Sequence, residues 1–232
     1  AREVWNYEKV VLLGWSGGGP LALFYQSQAQ KPTVTCTPGG DPADLTQANL
    51  SPVDGIVFQA ANISRALLLA QSIDPSVLDE YNPERRKTEL DIYNPRNPNQ
   101  PPYSRDYVDY YRKAQLDRLR RRTDWVKQTL EELRRLGGME QERGILTHRT
   151  MADLRYVDKT VDPNDRPPRT CVTGDPESAN SGPTGWGRYS TLRSWLSQGS
   201  PDDTHCHGET CAAGISVPML AIEHSADDAV PQ

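Results

Sequence analysis

One serine in the sequence lies between glycines in a pattern that suits a nucleophile. The segment is Gly14-Trp15-Ser16-Gly17-Gly18, with a glycine two residues before and two residues after Ser16. A serine hydroxyl attacks a carbonyl carbon when a neighbouring base removes its proton. Glycines at these positions allow a tight reversal of the backbone that would expose the hydroxyl. The spacing therefore predicts Ser16 as a nucleophile.

The residues on either side predict the elements that would position this serine. Val10, Val11, Leu12 and Leu13 are all apolar, as in a strand that is covered on both faces of a parallel sheet. After the glycines, an apolar pattern resumes over residues 21–25 and is long enough for a helix. We therefore expect Ser16 on a turn between a buried strand and a helix, with Gly14, Gly17 and Gly18 forming the reversal.

This strand, turn and helix resemble the nucleophile elbow of the α/β-hydrolase superfamily, whose motif is Gly-X-Ser-X-Gly. A glycine-rich turn of a nucleotide-binding fold is the alternative. It fits less well, because Trp15 and Ser16 stand where a backbone must approach pyrophosphate and no Walker lysine follows. The resemblance implies that Ser16 is the nucleophile and that backbone N–H groups beside it, at Gly17 and Trp15, belong to the oxyanion site. It implies no cofactor.

A second part of the sequence resembles the turn that carries the acid of the triad in that superfamily. Pro218 leads an apolar run over residues 219–222, and Asp227 stands four residues before Pro231. Asp227 fits the pattern best. Asp228 is the alternative acid, because the usual glycine of the pattern is missing and His224 or Ser225 stands in its place.

The histidine of the triad is expected outside this chain. The superfamily order is serine, acid, histidine, and only five residues follow Asp227, none of them histidine. We interpret the four histidines as cap, loop or turn residues; they are His148, His205, His207 and His224. The sequence thus predicts an internal part of a hydrolase that has little activity by itself.

The predicted fold class is α/β: a partial α/β-hydrolase fold with three parallel strands and a large, mostly helical cap. Residues 1–62 would form the core with the elbow, 63–200 the cap, and 201–232 the return to the core. The second strand is expected at residues 56–61, and helical spacing of apolar residues predicts a long helix over residues 105–136 with its arginines on the solvated face. Most aromatic residues of the cap are expected in its core.

Composition excludes several classes of function. A net charge of −5 disfavours a nucleic-acid partner, and no apolar run is long enough to span a membrane. Four cysteines are too few for a disulfide scaffold, which favours a cytoplasmic protein. The segment 204–211, THCHGETC, clusters histidine and cysteine, but adjacent and alternate residues converge poorly on one ion. We predict a polar connection there and no metal.

The leading hypothesis is a serine hydrolase that cleaves an ester, thioester, lactone or related small-molecule carbonyl compound. Carbon–carbon bond hydrolysis or acyl transfer on the same scaffold is one alternative, because a fold does not fix a reaction. A non-catalytic binding protein of the same fold is another. The presence or absence of a histidine after the acid turn in the complete gene would separate the enzyme from the binding protein.

Overall fold

The computed structural model describes residues 2–42, 44–162 and 164–230. The chain forms two compact units. Unit 1 comprises residues 1–65 and 201–224, and unit 2 comprises residues 66–200 and 225–232. Residues 225–230, which carry the two candidate acids, therefore group with unit 2 and not with the strand that precedes them in the chain.

Unit 1 contains a parallel sheet of three strands: β1 (Val11–Trp15), β2 (Gly55–Gln59) and β5 (Met219–Ile222). Their order across the sheet is β1-β2-β5, with Trp15 opposite Gln59 and Gln59 opposite Ile222. The three parallel strands predicted from the apolar runs are confirmed. Because the strands are parallel and in register, their carboxyl ends meet at one edge of the sheet, which we call the carboxyl edge.

Two helices cover one face of this sheet: α2 (Gly18–Gln30) and α7 (Gly208–Ala213). The apolar cluster between sheet and helices includes Ile56, Leu23 and Cys211. A short helix, α1 (Arg2–Trp5), precedes β1, and its Arg2 pairs with Asp54 just before β2. Unit 1 thus has its core on a single side of the sheet.

The expectation that the first strand is buried on both faces is wrong. Val11 and Leu13 are 57% and 61% exposed, and all four residues of β5 are exposed. The reason is that α2 and α7 lie on one face and the described residues leave the other face open. An apolar run identified the strands, but it could not say how many faces were covered.

Unit 2 is built around α4 (Arg105–Leu136), the long helix that the periodicity predicts. Ser104 caps its first turn by accepting a hydrogen bond from the Tyr107 backbone, and Gly137 ends the helix in the left-handed conformation with φ 62°. The other helices of the unit are α3 (Arg65–Ser72), whose first residue belongs to unit 1, α5 (Pro176–Ser181) and α6 (Leu192–Gln198). In the described residues no helix is both long and apolar enough to cross a membrane.

The predicted helical insertion also contains an antiparallel pair of strands, which the sequence did not indicate. These are β3 (Gly144–Leu146) and β4 (Tyr189–Thr191), with Ile145 opposite Ser190. Three residues in each strand are too few for a periodic signal. The pair brings the segment after α4 next to the segment before α6.

The long helix joins two apolar clusters of unit 2. Its first half contributes Tyr107 and Tyr111 to a cluster that also holds Tyr103. Its second half contributes Leu119 and Val126 to a cluster around Trp195. These aromatic residues lie in the core, as expected, whereas Tyr110 is 42% exposed.

The prediction that the arginines of this helix are solvated is wrong for two of them. Arg118 and Arg122 are buried, with Arg118 1% exposed. Arg118 forms two hydrogen bonds to the Glu80 carboxylate, at 2.7 and 2.8 Å, and donates to the backbone oxygens of Asp74 and His148. A guanidinium can be buried when its donors find such partners.

Candidate functional site

Ser16 occupies the corner between β1 and α2. Its φ is 51°, in the left-handed region that side chains other than glycine rarely adopt. Its backbone N–H donates to the Gln59 oxygen at 3.2 Å, and its carbonyl accepts from the Gly19 N–H at 3.1 Å. These bonds fix a sharp turn immediately after the strand. The strand, turn and helix lie where the sequence predicts them.

The glycines around Ser16 have different roles from those predicted. A Cβ on Gly14 would come 2.7 Å from the Gly18 oxygen, and a Cβ on Gly19 would come 2.6 Å from the Ala61 Cβ. A Cβ on Gly18 would meet nothing within 4 Å. Close packing of the turn therefore requires Gly14 and Gly19. Gly18, the second glycine of the motif, has space for a side chain.

Gly17 lies at the amino end of α2, where the backbone N–H groups of the first turn have no intrahelical acceptor. It is the N-cap residue, with φ −64° and no side-chain cap. A helix amino end attracts negative charge through these N–H groups and the helix dipole. The geometry is therefore suited to an oxyanion close to Ser16.

Trp15 is in a different position, as the last residue of β1. Since the Ser16 N–H points to β2, alternation along a parallel strand directs the Trp15 N–H towards the opposite side of β1. The Trp15 side chain is largely exposed. Its part in an oxyanion site stays a prediction.

A second residue with positive φ lies beside the serine at the carboxyl edge. Ala60, directly after β2, has φ 45°. Asn62, two residues later in the same loop, has a buried Oδ1 with no hydrogen-bond partner among the described residues. Strained backbone and unsatisfied buried acceptors are found disproportionately at functional sites. Both features occur here next to the turn that holds Ser16.

Arg65 is a further residue at this edge that the sequence interpretation missed. Its side-chain carbon and nitrogen atoms lie 3.6 Å from the position of a Cβ on Gly17, so its guanidinium is beside the amino end of α2. The signal that could have found it is its place shortly after the second predicted strand, because carboxyl ends of parallel strands share one edge. Arg65 adds a positive charge to this edge.

The two candidate acids lie in unit 2, whereas Ser16 lies in unit 1. One carboxylate oxygen of Asp227 accepts hydrogen bonds from the backbone N–H groups of Ala229 and Val230, at 2.8 and 2.9 Å. This is the contact of an aspartate that caps its own turn. The turn is joined to the rest of unit 2 by a bond from the Asp165 N–H to the Ser225 oxygen. The pairing of Ser16 with Asp227 or Asp228 stays a prediction.

Three of the four histidines are in unit 1. His205 and His207 line a cavity of about 380 Å³ together with Gln28 and Lys31, near the carboxyl end of α2. Gly208, the residue after His207, donates its backbone N–H to the Ile63 oxygen in the loop that follows β2, at 2.8 Å. The fourth histidine, His148, is in unit 2.

His224 follows the end of β5 at the carboxyl edge. Its strand is the second one from β1, so the strand ends are about 10 Å apart across the sheet. The sequence predicts His224 in a turn, because this residue precedes the acid. The structure places it at the same edge of the sheet as Ser16.

The segment that contains His205, Cys206, His207 and Cys211 has the features of a structural connection. The His207 ring nitrogen contacts the Pro201 oxygen, and the Cys211 thiol contacts the His205 oxygen at 3.6 Å. Burial raises the pKa of the Cys206 thiol to about 11. Over the described part of the chain, no group of three or more potential ligand side chains could hold a metal ion, and all four cysteines are free.

Comparisons with known proteins give no relative from which a function could be transferred. The chain matches no protein-family model, no curated protein and no solved structure. The residues at the carboxyl edge are therefore the basis for inferring its activity.

Proposed function

We propose that the chain carries the nucleophile of a serine hydrolase that resembles the α/β-hydrolases. The substrate class is an ester, thioester, lactone or related carbonyl compound. The observation that supports this most directly is the left-handed conformation of Ser16 at the junction of β1 and α2. A nucleophile elbow needs this conformation, because it raises the serine oxygen above the sheet and beside the helix amino end.

In the proposed reaction, Ser16 Oγ attacks the carbonyl carbon while a base removes its proton. Negative charge then develops on the former carbonyl oxygen, and the Gly17 N–H donates a hydrogen bond to it. One such donor contributes about 10²- to 10³-fold to the rate of related reactions. The helix dipole of α2 favours the same charge. Each contribution comes from backbone that the turn itself holds in place.

Arg65 favours a substrate with its own anionic group. The Arg65 guanidinium is next to Gly17 and would attract a carboxylate or other anionic group on the substrate. An anionic ester is therefore a better first substrate than a neutral, purely apolar ester.

Two sources of the base are testable. The superfamily order places a histidine after Gln232, with Asp227 or Asp228 orienting it. His224 is the candidate within the chain, because it lies at the carboxyl edge. The first source predicts a nearly inert 232-residue chain, since a serine without a base is a weak nucleophile. The second predicts activity that His224→Gln removes.

The test uses a fluorophosphonate probe and an aryl ester that carries a carboxylate. We expect the product of the complete gene to be labelled at Ser16, with labelling and hydrolysis lost in Ser16→Ala. Ser51→Ala, which changes an exposed serine of unit 1, is the matched control and should leave both unchanged. Ester hydrolysis by the 232-residue chain and by its His224→Gln variant then shows whether His224 is the base.

Labelling that survives Ser16→Ala would overturn the assignment of the nucleophile. No labelling in either the 232-residue chain or the complete gene product would overturn the proposed hydrolase. That second result would favour a non-catalytic binding protein of the same fold.

A further inference from the structure

Unit 2 contains a polar cavity of about 260 Å³ whose lining is rich in cationic groups. It lies wholly within unit 2 and is independent of the carboxyl edge of the sheet. Its lining includes Arg86, His148, Arg149, Asn180, Ser181 and Arg188. Among the described residues that line this cavity, Glu84 is the only acidic one.

Arg188 is the unusual member of this set. It is 5% exposed, and among the described residues no carboxylate lies within salt-bridge distance of it. Its guanidinium instead donates to the backbone oxygens of Gly182, Asn180 and Thr184, the last two at 3.2 and 3.4 Å. Its Nε is buried and has no hydrogen-bond partner in the described part of the chain. A buried charge without a counter-charge is costly, because carbonyl dipoles replace only part of what water or an anion supplies.

The structure holds Arg188 in this position from several sides. Its backbone N–H donates to the Gly185 oxygen, and its carbonyl accepts from the Thr147 N–H. Gly185 leaves room for the guanidinium, since a Cβ there would come 3.0 Å from the Arg188 Nη2 and 2.6 Å from the Thr150 hydroxyl. The cation is thus fixed before any ligand arrives, which lowers the entropy cost of binding.

Arg149 and Arg86, unlike Arg188, pair with carboxylates, and both of them contact Asp91. Arg149 bonds to Asp74 at 2.6 Å and to Asp91 at 3.2 Å, and its remaining nitrogen faces the Ser181 hydroxyl at 3.4 Å. The Arg149 backbone is left-handed, with φ 56°. Within the residues that the structure describes, Arg86 has only loose ion pairs, at 3.5 Å to Asp91 and to Glu84. Its donors are therefore available to a stronger acceptor.

We propose that this cavity binds an oxyanion, the carboxylate or phosphate group of a small ligand, with Arg188 and Arg86 as its cationic contacts and Ser181 as a neutral donor. Arg86 suits this ligand because a planar guanidinium can donate two parallel hydrogen bonds to a carboxylate or a phosphate. Arg188, whose Nη atoms bond to backbone oxygens, contributes mainly its charge. The anion would supply the counter-charge that Arg188 lacks.

His148 couples this binding to pH. Burial and the charges of Arg188, Arg118 and Arg122 hold the pKa of the His148 imidazole below its usual value of 6.5, against the opposing charge of Glu80. An anion in the cavity would favour the imidazolium and raise this pKa. Affinity for an anion that does not itself titrate should therefore increase as the pH falls through the range in which His148 takes up a proton.

Calorimetric titration of the 232-residue chain at low ionic strength tests the proposal, with inorganic phosphate in one arm and acetate in the other. The arm with the higher affinity identifies the oxyanion. Arg86→Gln should weaken binding about tenfold, because it removes a charged hydrogen-bond donor. Arg143→Gln is the matched control: it removes one exposed positive charge from the same unit and should change affinity less than twofold.

Arg188→Lys keeps the charge but loses the planar fork, and it should bind at least tenfold more weakly than the unaltered chain. If Arg188→Lys does not fold, the proposal is tested by the anion affinity of Arg86→Gln and by the pH dependence of sulfate binding. Sulfate affinity should rise between pH 8 and pH 5.5, and His148→Gln should flatten that rise. Failure of both anions to bind, or equal weakening by Arg86→Gln and Arg143→Gln, would overturn the proposal.

Discussion

The carboxyl edge of unit 1 and the cluster of Asp153, Arg112 and Arg155 in unit 2 differ in how their polar groups are paired. At the carboxyl edge, Ser16 and Ala60 have strained backbones, and Asn62 Oδ1 is buried without a hydrogen-bond partner among the described residues. In the cluster, Asp153 is fully buried and contacts both Arg112 and Arg155, at 2.8 and 2.7 Å. The carboxyl edge leaves a buried polar atom without a partner, whereas the cluster pairs its buried charge.

This difference separates residues that stabilise the fold from residues that could act on a ligand. Burial alone would raise the pKa of the Asp153 carboxyl, but the charges of Arg112 and Arg155 outweigh burial and hold the pKa far below its usual value. The Asp153 carboxylate is therefore held in ion pairs with these two arginines. At the carboxyl edge, Asn62 Oδ1 has no hydrogen-bond partner among the described residues, and in unit 2 the buried Nε atoms of Arg122 and Arg188 have none either.

Asp153→Asn should produce the largest loss of stability, because it leaves the two arginines without their buried counter-charge. We expect the free energy of unfolding to fall by about 3–5 kcal/mol, measured by chemical denaturation. The control is Asp117→Asn, which breaks an exposed pair with Lys113 and should cost about 0.3 kcal/mol. Similar losses in the two variants would contradict the contrast between paired interior charges and surface charges.

Lowering the pH should reduce the stability of unit 2, because Glu80 then becomes protonated. Burial alone would raise the pKa of Glu80, but hydrogen bonds and charge from Arg118 outweigh it and lower the pKa below 4.5. A lowered carboxyl pKa in the folded state means stability that is present above about pH 4.5 and lost as the pH falls through the folded-state value. Glu80→Gln should cost about 1–3 kcal/mol at pH 7 and should reduce the dependence of stability on pH below 4.5. If the free energy of unfolding depends on pH below 4.5 equally in Glu80→Gln and in the unaltered chain, this role of Glu80 is contradicted.

Gly14→Ala should disturb the elbow turn. The new Cβ would meet backbone atoms of Gly18 and Gly19, so the turn must shift, at a cost of about 1–3 kcal/mol. Gly18→Ala is the matched control, because its Cβ meets open space, and it should be neutral or stabilising by up to about 1 kcal/mol. Thermal unfolding of both variants measures the difference, and equal effects would count against the packing that we describe.

Ser16→Gly should have the smallest effect, and in the opposite direction. Glycine adopts a φ of 51° without strain, so we expect a gain of about 0.5–1 kcal/mol after the larger entropy of the unfolded chain is included. Ser16→Ala keeps the strain and should leave stability nearly unchanged. Asn49→Gly, at an exposed left-handed residue with φ 46°, should gain less because asparagine tolerates this region. A loss of stability in Ser16→Gly would show that the serine backbone is not strained.

The sequence could predict the features that have a local signal. Apolar runs found the three parallel strands, helical periodicity found α4, and glycine spacing found the turn at Ser16. Burial of Arg118 was out of reach, because its partner Glu80 is 38 residues away in the chain and its other acceptors are backbone oxygens. Arg65 is an intermediate case: its position shortly after the second predicted strand places it at the carboxyl edge, but its contact with Gly17 arises only when β1 and β2 pair. Local patterns specify elements, whereas ion pairs and site contacts depend on which elements meet.

The two apolar clusters that share α4 have a consequence for how unit 2 unfolds. Tyr111 and Leu119 belong to different clusters but to the same uninterrupted helix, eight residues apart. Neither cluster can dissolve without removing packing from this helix, and a helix without packing is marginal in water. The clusters should therefore behave as one cooperative unit: in native-state hydrogen exchange, amides around Tyr111 and around Leu119 should open with the same free energy and the same dependence on denaturant.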